Sequence, residues 1–172
     1  MTRRAAALLA AAVLGLGALA GCGGGSGSSA TTSTAATTTP AVAEPPPNAE
    51  EGTVFVSLGS AAGLGQVLVD SEGHTLYAFS GDAGGTPSCA GACAKAWPPL
   101  LDEKGEPQPS NGTAAARLGT VTRADGGRQV TYAGRPLYTF GGDQKPGEAN
   151  GNGQSAFGGT WTALKGNGEP AG

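Results

Sequence analysis

The chain has 172 residues, a formal net charge of -3, and only 13% charged and 5% aromatic residues. Glycine supplies 32 positions, well above the usual ~7%. The length suits one small domain, and with no basic cluster after the first residues a nucleic-acid partner is excluded.

In chain order the first element reads as an address. Arg3 and Arg4 precede an apolar run from Ala5 to Ala20, which closes on Leu19-Ala20-Gly21-Cys22. A charged start, a short apolar core and a small-residue cleavage site describe a secretory signal over residues 1–21. The run is short of the roughly 18 apolar residues of a membrane span. L-A-G-C resembles the lipobox of bacterial lipoproteins. That resemblance implies cleavage before Cys22, acylation of its thiol (palmitate-class chains) and a membrane partner reached through the lipid. Two or more acyl chains anchor stably where one binds marginally.

Residues 22–51 are rich in Gly, Ser, Thr, Ala and Pro with no apolar periodicity, a composition that cannot bury enough surface to offset its ordering entropy. They are expected to form a disordered, lipid-anchored tether, stiffer towards Pro45-Pro46-Pro47. A β-rich domain is expected over 52–166 and a flexible tail over 167–172.

The domain carries an internal repeat. "GQVLVDSEGHTLYAFSGD" (65–82) matches "RQVTYAGRPLYTFGGD" (128–143). Tyr77, Phe79 and Asp82 align with Tyr138, Phe140 and Asp143. Further on, Trp97 aligns with Trp161, Leu100 with Leu164, and both copies end in Gly-Glu-Pro. The copies span about 65–107 and 128–170. Each predicts a strand-turn-strand unit: Val67 to Val69 and Leu76 to Phe79 in the first, Val130 to Tyr132 and Leu137 to Phe140 in the second. Val54 to Leu58 and Leu118 to Thr122 predict further strands, and "SCAGACAKAW" one short helical turn. The expected fold is mainly β, a small single domain of two tandem repeats in a pseudo-two-fold relation. Period-2 geometry sets Tyr77 and Phe79 on one strand face, Leu76 and Ala78 on the other.

The doubled Y-x-F-x-G-D, the intervening "CAGACAKAWPPL" and the lipobox together resemble predicted bacterial lipoproteins with a Y-x-[FWY]-x-x-D motif, also called secreted repeats of unknown function. The resemblance implies an extracytoplasmic, lipid-anchored β-rich module at the cell membrane, with a cell-wall or envelope component as a candidate partner.

The repeated residues admit two readings. Tyr77, Phe79, Trp97, Tyr138, Phe140 and Trp161 form a shared core, or an exposed platform that stacks on a flat ligand such as a sugar. Asp82 and Asp143 cap the turns after their strands, or face each other as a carboxylate pair. The other acids near the repeats (Asp70, Glu72, Glu148) are too scattered for calcium, which needs six to eight oxygens.

Three cysteines are present. With lipid on Cys22, Cys89 and Cys93 remain as a disulfide pair in an oxidising compartment. Four residues of helix span roughly 6 Å, within disulfide reach. The alternative is a copper or thiol-redox site: a C-x3-C pair with His74, the one histidine, resembles that of thioredoxin-like copper-delivery proteins and suits copper chemically. No thioredoxin-like βαβ pattern accompanies it, and no Pro follows the second Cys. No nucleophile motif or phosphate loop appears. The chain therefore reads as a non-catalytic, cofactor-free binding or structural module, with copper as the alternative cofactor.

Overall fold

A computed structural model describes residues 52–172; the signal segment, Cys22 and the tether lie outside them. The described residues form mostly strands. β1 (Phe55–Ala61) and β2 (Gly65–Val69) make an antiparallel hairpin, flanked across β1 by the parallel β4 (Gln108–Pro109). β3 (Tyr77–Phe79) pairs with β9 (Gly159–Ala163), and β9 with β8 (Ser155–Ala156). β5 (Leu118–Thr122), β6 (Arg128–Tyr132) and β7 (Arg135–Pro136) form the third small sheet. The one α-helix among the described residues is α1 (Ala92–Ala96).

The two strand-turn-strand units are present but short. In the first, Asp70 Oδ1 accepts the N–H groups of Glu72 and His74, each at 2.9 Å. That closes the turn, and one bridge, Val69↔Thr75, follows it. In the second, Ala133 (φ 50°) and Gly134 (φ 76°) form a two-residue loop, the paired positive φ of a type I′ hairpin turn. Pro136 fits its strand because antiparallel ladders alternate bonded and non-bonded pairs. It faces Thr131, while the next residue, Leu137, donates its N–H to Val130 at 3.0 Å.

Alternation along the strands divides the interior into two clusters. Val67, Val69, Tyr77, Phe79, Tyr138 and Trp161 join one with Cys89, Cys93 and Trp97. Leu68, Leu76, Ala78, Val130, Leu137 and Leu164 join the other. The strand through residues 76–79 thus separates two apolar layers and is buried on both faces.

Residues 167–172, expected to be a flexible tail, fold back instead. Pro170 bridges Leu164, the Ala171 N–H donates to Ala163 at 2.8 Å, and Ala171 is buried. Asn152 holds the turn by donating to the Ala171 carbonyl at 3.2 Å. The small Ala171 side chain fills a core position, which composition alone did not signal.

Candidate functional site

The two copies meet at their repeated tyrosines. The Tyr77 N–H donates to the Tyr138 carbonyl at 2.8 Å, and the Tyr138 N–H returns the bond at 3.0 Å. This reciprocal pair between equivalent residues marks the pseudo-two-fold. Beyond it each Y-x-F strand leaves its own copy and pairs with the tryptophan segment of the other. Phe79 lies opposite Trp161 and Tyr77 opposite Ala163. Tyr138 lies opposite Pro99, and Leu100 and Gly141 extend that pairing through N–H bonds to Leu137 and Ala96, both 2.9 Å.

The exchange assembles one aromatic column. Phe79 stacks on Trp161 at 4.3 Å, Trp161 on Trp97 at 4.0 Å with planes only 5° apart, and Trp97 on Phe140 at 4.2 Å. Tyr77 meets Trp97 edge-on at 5.3 Å, and Tyr138 meets Trp161 edge-on at 5.2 Å. The two edge-on contacts have the T-shaped geometry that ring quadrupoles favour. Five of the six rings are buried and Phe140 is half-buried, so the column is interior and not an exposed platform.

The glycine of F-x-G-D has a steric reason. A Cβ at Gly81 would overlap the edge of the Phe79 ring, and one at Gly142 the edge of Phe140. Each phenylalanine folds back over its own glycine. Gly151 is constrained similarly, since its Cβ would sit 2.6 Å from Trp97 and 3.0 Å from Tyr77.

The repeated aspartates also act across the copies. Tyr77 Oη donates to Asp143 Oδ2 at 2.5 Å, and Tyr138 Oη to Asp82 Oδ2 at 2.8 Å. The other carboxylate oxygen in each case caps a loop: Asp82 Oδ1 accepts Ser88 N–H at 2.7 Å and Ser88 Oγ at 2.8 Å, and Asp143 Oδ1 accepts Asn150 N–H at 2.9 Å. The carboxylates therefore face tyrosines and backbone, not each other. Burial pushes both phenols well above their ordinary ionisation range, and the adjacent carboxylate reinforces the shift. Trp161 Nε1 is buried with no hydrogen-bond partner.

Cys89 and Cys93 are joined as a disulfide, with Cα atoms 5.3 Å apart. Both are buried in the cluster that holds Trp97. Buried Arg123 secures this end of the column, donating to the Cys89 carbonyl at 2.7 Å and to Gln129 Oε1 at 2.5 Å. Gln129 in turn donates to the Leu137 carbonyl at 2.8 Å. Its counterpart Gln66 is exposed and reaches only Ser60.

The copper alternative is not assembled. Disulfide sulfurs offer no thiolate, and His74 lies in the Asp70 turn, where Nδ1 is 3.5 Å from Asp70 Oδ2 and 3.5 Å from Glu72 Oε2. Asp70 and Glu72, which looked scattered in sequence, thus converge on His74 at the surface. Glu148 serves elsewhere, accepting the Gln144 N–H at 2.7 Å. Sequence reasoning missed Arg123, Gln129 and the cross-copy exchange itself. The alignment of Gln66 with Gln129 was the one available signal, and it did not distinguish the buried member from the exposed one.

Comparison with curated proteins and with solved structures gives no match. A family model described as a secreted repeat of unknown function matches twice, over residues 61–101 and 119–165, about half of the chain. Each match contains one Y-x-F strand and one column tryptophan. The chain belongs to this family of secreted repeats of unknown function and carries two copies of the repeat.

Proposed function

We propose that the protein is a lipid-anchored lipoprotein on the extracytoplasmic side of the cell membrane, whose domain is a non-catalytic binding or structural module of the envelope. One observation carries the anchoring. The Cys89–Cys93 disulfide accounts for two of the three cysteines, and the third, Cys22, stands in L-A-G-C directly after the apolar run. Among the described residues no helix is long and apolar enough to cross a membrane, so attachment through lipid on Cys22 is consistent with the domain's composition. Multiple acyl chains provide that attachment without a span.

The non-catalytic reading draws support from where the doubled motif spends its polar groups. Both Tyr–Asp pairs are committed to each other and to loop backbone, and the rings to the column. A paired-carboxylate mechanism needs two carboxyls flanking a substrate bond, whereas each of these carboxylates is held by a tyrosine. An envelope component is the ligand class this location favours.

The test is intact-mass analysis of the full chain, expressed in a bacterial host and extracted from membranes with detergent. A mature chain that begins at Cys22 and carries diacylglyceryl and acyl mass is expected, and Cys22→Ser should release the protein or leave the precursor unprocessed. A soluble wild-type chain with an unmodified Cys22 would reject the anchor. For the module, co-sedimentation with purified peptidoglycan is the first ligand screen.

A further inference from the structure

The domain concentrates its oxidisable rings. The chain has two Trp and three Tyr; four of these five lie in the one column, and only Tyr132 stands apart. Packing alone accounts for a stack. The carboxylates beside it cap loops and accept the buried hydroxyls, and as bases they have a second consequence. The two tryptophans lie face to face at 4.0 Å, close enough to share a positive hole between their π systems. Trp161 Nε1 is buried without an acceptor, so a hole on that ring cannot be trapped there by loss of the indole proton. Each flanking tyrosine, by contrast, donates its phenol proton straight to a carboxylate, Tyr77 to Asp143 and Tyr138 to Asp82. A phenol next to a base loses its electron far more readily, because the proton leaves with it.

We propose that the column is a one-electron relay, which passes an oxidising equivalent from the tryptophan pair to Tyr77 or Tyr138 and holds it there as a neutral tyrosyl radical. A high-potential one-electron oxidant, of the oxygen-centred radical class, takes one electron from the Trp97–Trp161 pair and leaves a radical cation. Tyr77 returns an electron to that pair, and its phenol proton moves along the existing hydrogen bond to Asp143. The products are restored tryptophans, a tyrosyl radical and a neutral Asp143 carboxyl. Tyr138 and Asp82 do the same in the other copy. A small reductant of the thiol or ascorbate class resets the site by supplying one electron, while the proton returns from the aspartate. Phe140, stacked on Trp97 at 4.2 Å, is the one half-buried ring of the column. Tyr132 is an internal control: it is equally buried, but its hydroxyl donates to the Gly166 carbonyl at 2.7 Å, a poor base. The relay does not depend on acylation of Cys22.

The experiment oxidises the full chain with tris(bipyridine)ruthenium(III), generated by a light flash with a sacrificial acceptor, and follows radicals by transient absorption and freeze-quench electron paramagnetic resonance. A tryptophanyl signal that converts to a tyrosyl signal is expected, with the conversion slower in heavy water. The Tyr77→Phe/Tyr138→Phe double variant should lose the tyrosyl signal and leave a long-lived tryptophanyl one. Asp82→Asn/Asp143→Asn should do likewise while both tyrosines remain. A tyrosyl signal that survives the double phenylalanine variant would place the radical on Tyr132 and overturn the relay. So would a wild-type conversion indifferent to heavy water, a result that needs no variant to fold.

Discussion

The two copies reach the same point by different routes. Before Trp97 the chain runs through the Cys89–Cys93 disulfide and helix α1; before Trp161 it runs through the β8–β9 hairpin, turning at Phe157 (φ 55°) and Gly158 (φ 85°). One route is a covalently closed helical turn, the other a hydrogen-bonded ladder. Both deliver an indole beneath the other copy's Y-x-F strand, with planes matched to within 5°. What the repeat preserves is the socket: strand, phenylalanine folded over glycine, and tyrosine bonded to the opposite aspartate. The approach to the socket differs between the copies, and each approach adds its own contacts to the other copy: Ala96 and Cys89 accept from Gly141 and Arg123 on one side, and Thr160 bonds Ser80 on the other.

If that division is right, the sockets should be energetically equivalent. Trp97→Ala and Trp161→Ala should each cost about 3–5 kcal/mol, a large share of the ~5–15 kcal/mol of a typical domain. Urea denaturation of both variants checks this. A small loss in one alone would break the equivalence.

The next effect sharpens the comparison. Tyr77→Phe leaves Asp143 Oδ2 buried without its donor and should cost about 1–3 kcal/mol, whereas Tyr138→Phe should cost less because Asp82 is half-buried. The same phenols govern the alkaline limb. Their folded ionisation lies above the unfolded value near 10. Stability is therefore full below about pH 10 and falls above it, as the unfolded chain releases protons that the native state retains. The slope is about 1.4 kcal/mol per pH unit for each tyrosine. Thermal melts from pH 8 to 11 should show the decline, flattened in both phenylalanine variants.

Opening the covalent route is milder. Cys89→Ser/Cys93→Ser should cost about 2 kcal/mol in the chain-entropy view of so short a loop, and the reduced chain should still melt cooperatively. Collapse of the fold on reduction would mean that the disulfide acts on the socket itself. The smallest change falls on the other route. Phe157 is 52% exposed yet sits at positive φ, where glycine has no Cβ penalty. Phe157→Gly should raise stability by about 0.5–1 kcal/mol, read as an upward shift in melting temperature.

Much of this was legible in the sequence. The doubled phrase gave the repeat, alternation around Tyr77 and Phe79 gave the two strand faces, and four-residue spacing made the disulfide feasible. Strand pairing was not legible. Val67 to Val69 and Leu76 to Phe79 read as one hairpin because they are neighbours, but Phe79 spends its strand on Trp161. Side-chain alternation specifies which face is buried and says nothing about which distant edge supplies the partner. The Arg123–Gln129 pair was hidden for a related reason: an isolated arginine in a turn looks solvated until a carbonyl from another segment arrives. The tail was misread because Gly, Glu and Pro near Ala171 suggest a loose end, while burial of that one small side chain decides the matter.

The exchange of tryptophan segments also has a consequence for export. A chain that crosses a translocation channel unfolded and amino-terminus first presents its first copy before its second. Tyr77 and Phe79 emerge early, but their strand partners Ala163 and Trp161, the second also the ring stacked on Phe79, emerge almost last. The first copy cannot close its layer alone, because its strand edge and apolar rings stay open until the second copy arrives. Such long-range pairing slows folding and leaves edges exposed to association. On such a route the end of translocation and the start of stable structure would nearly coincide.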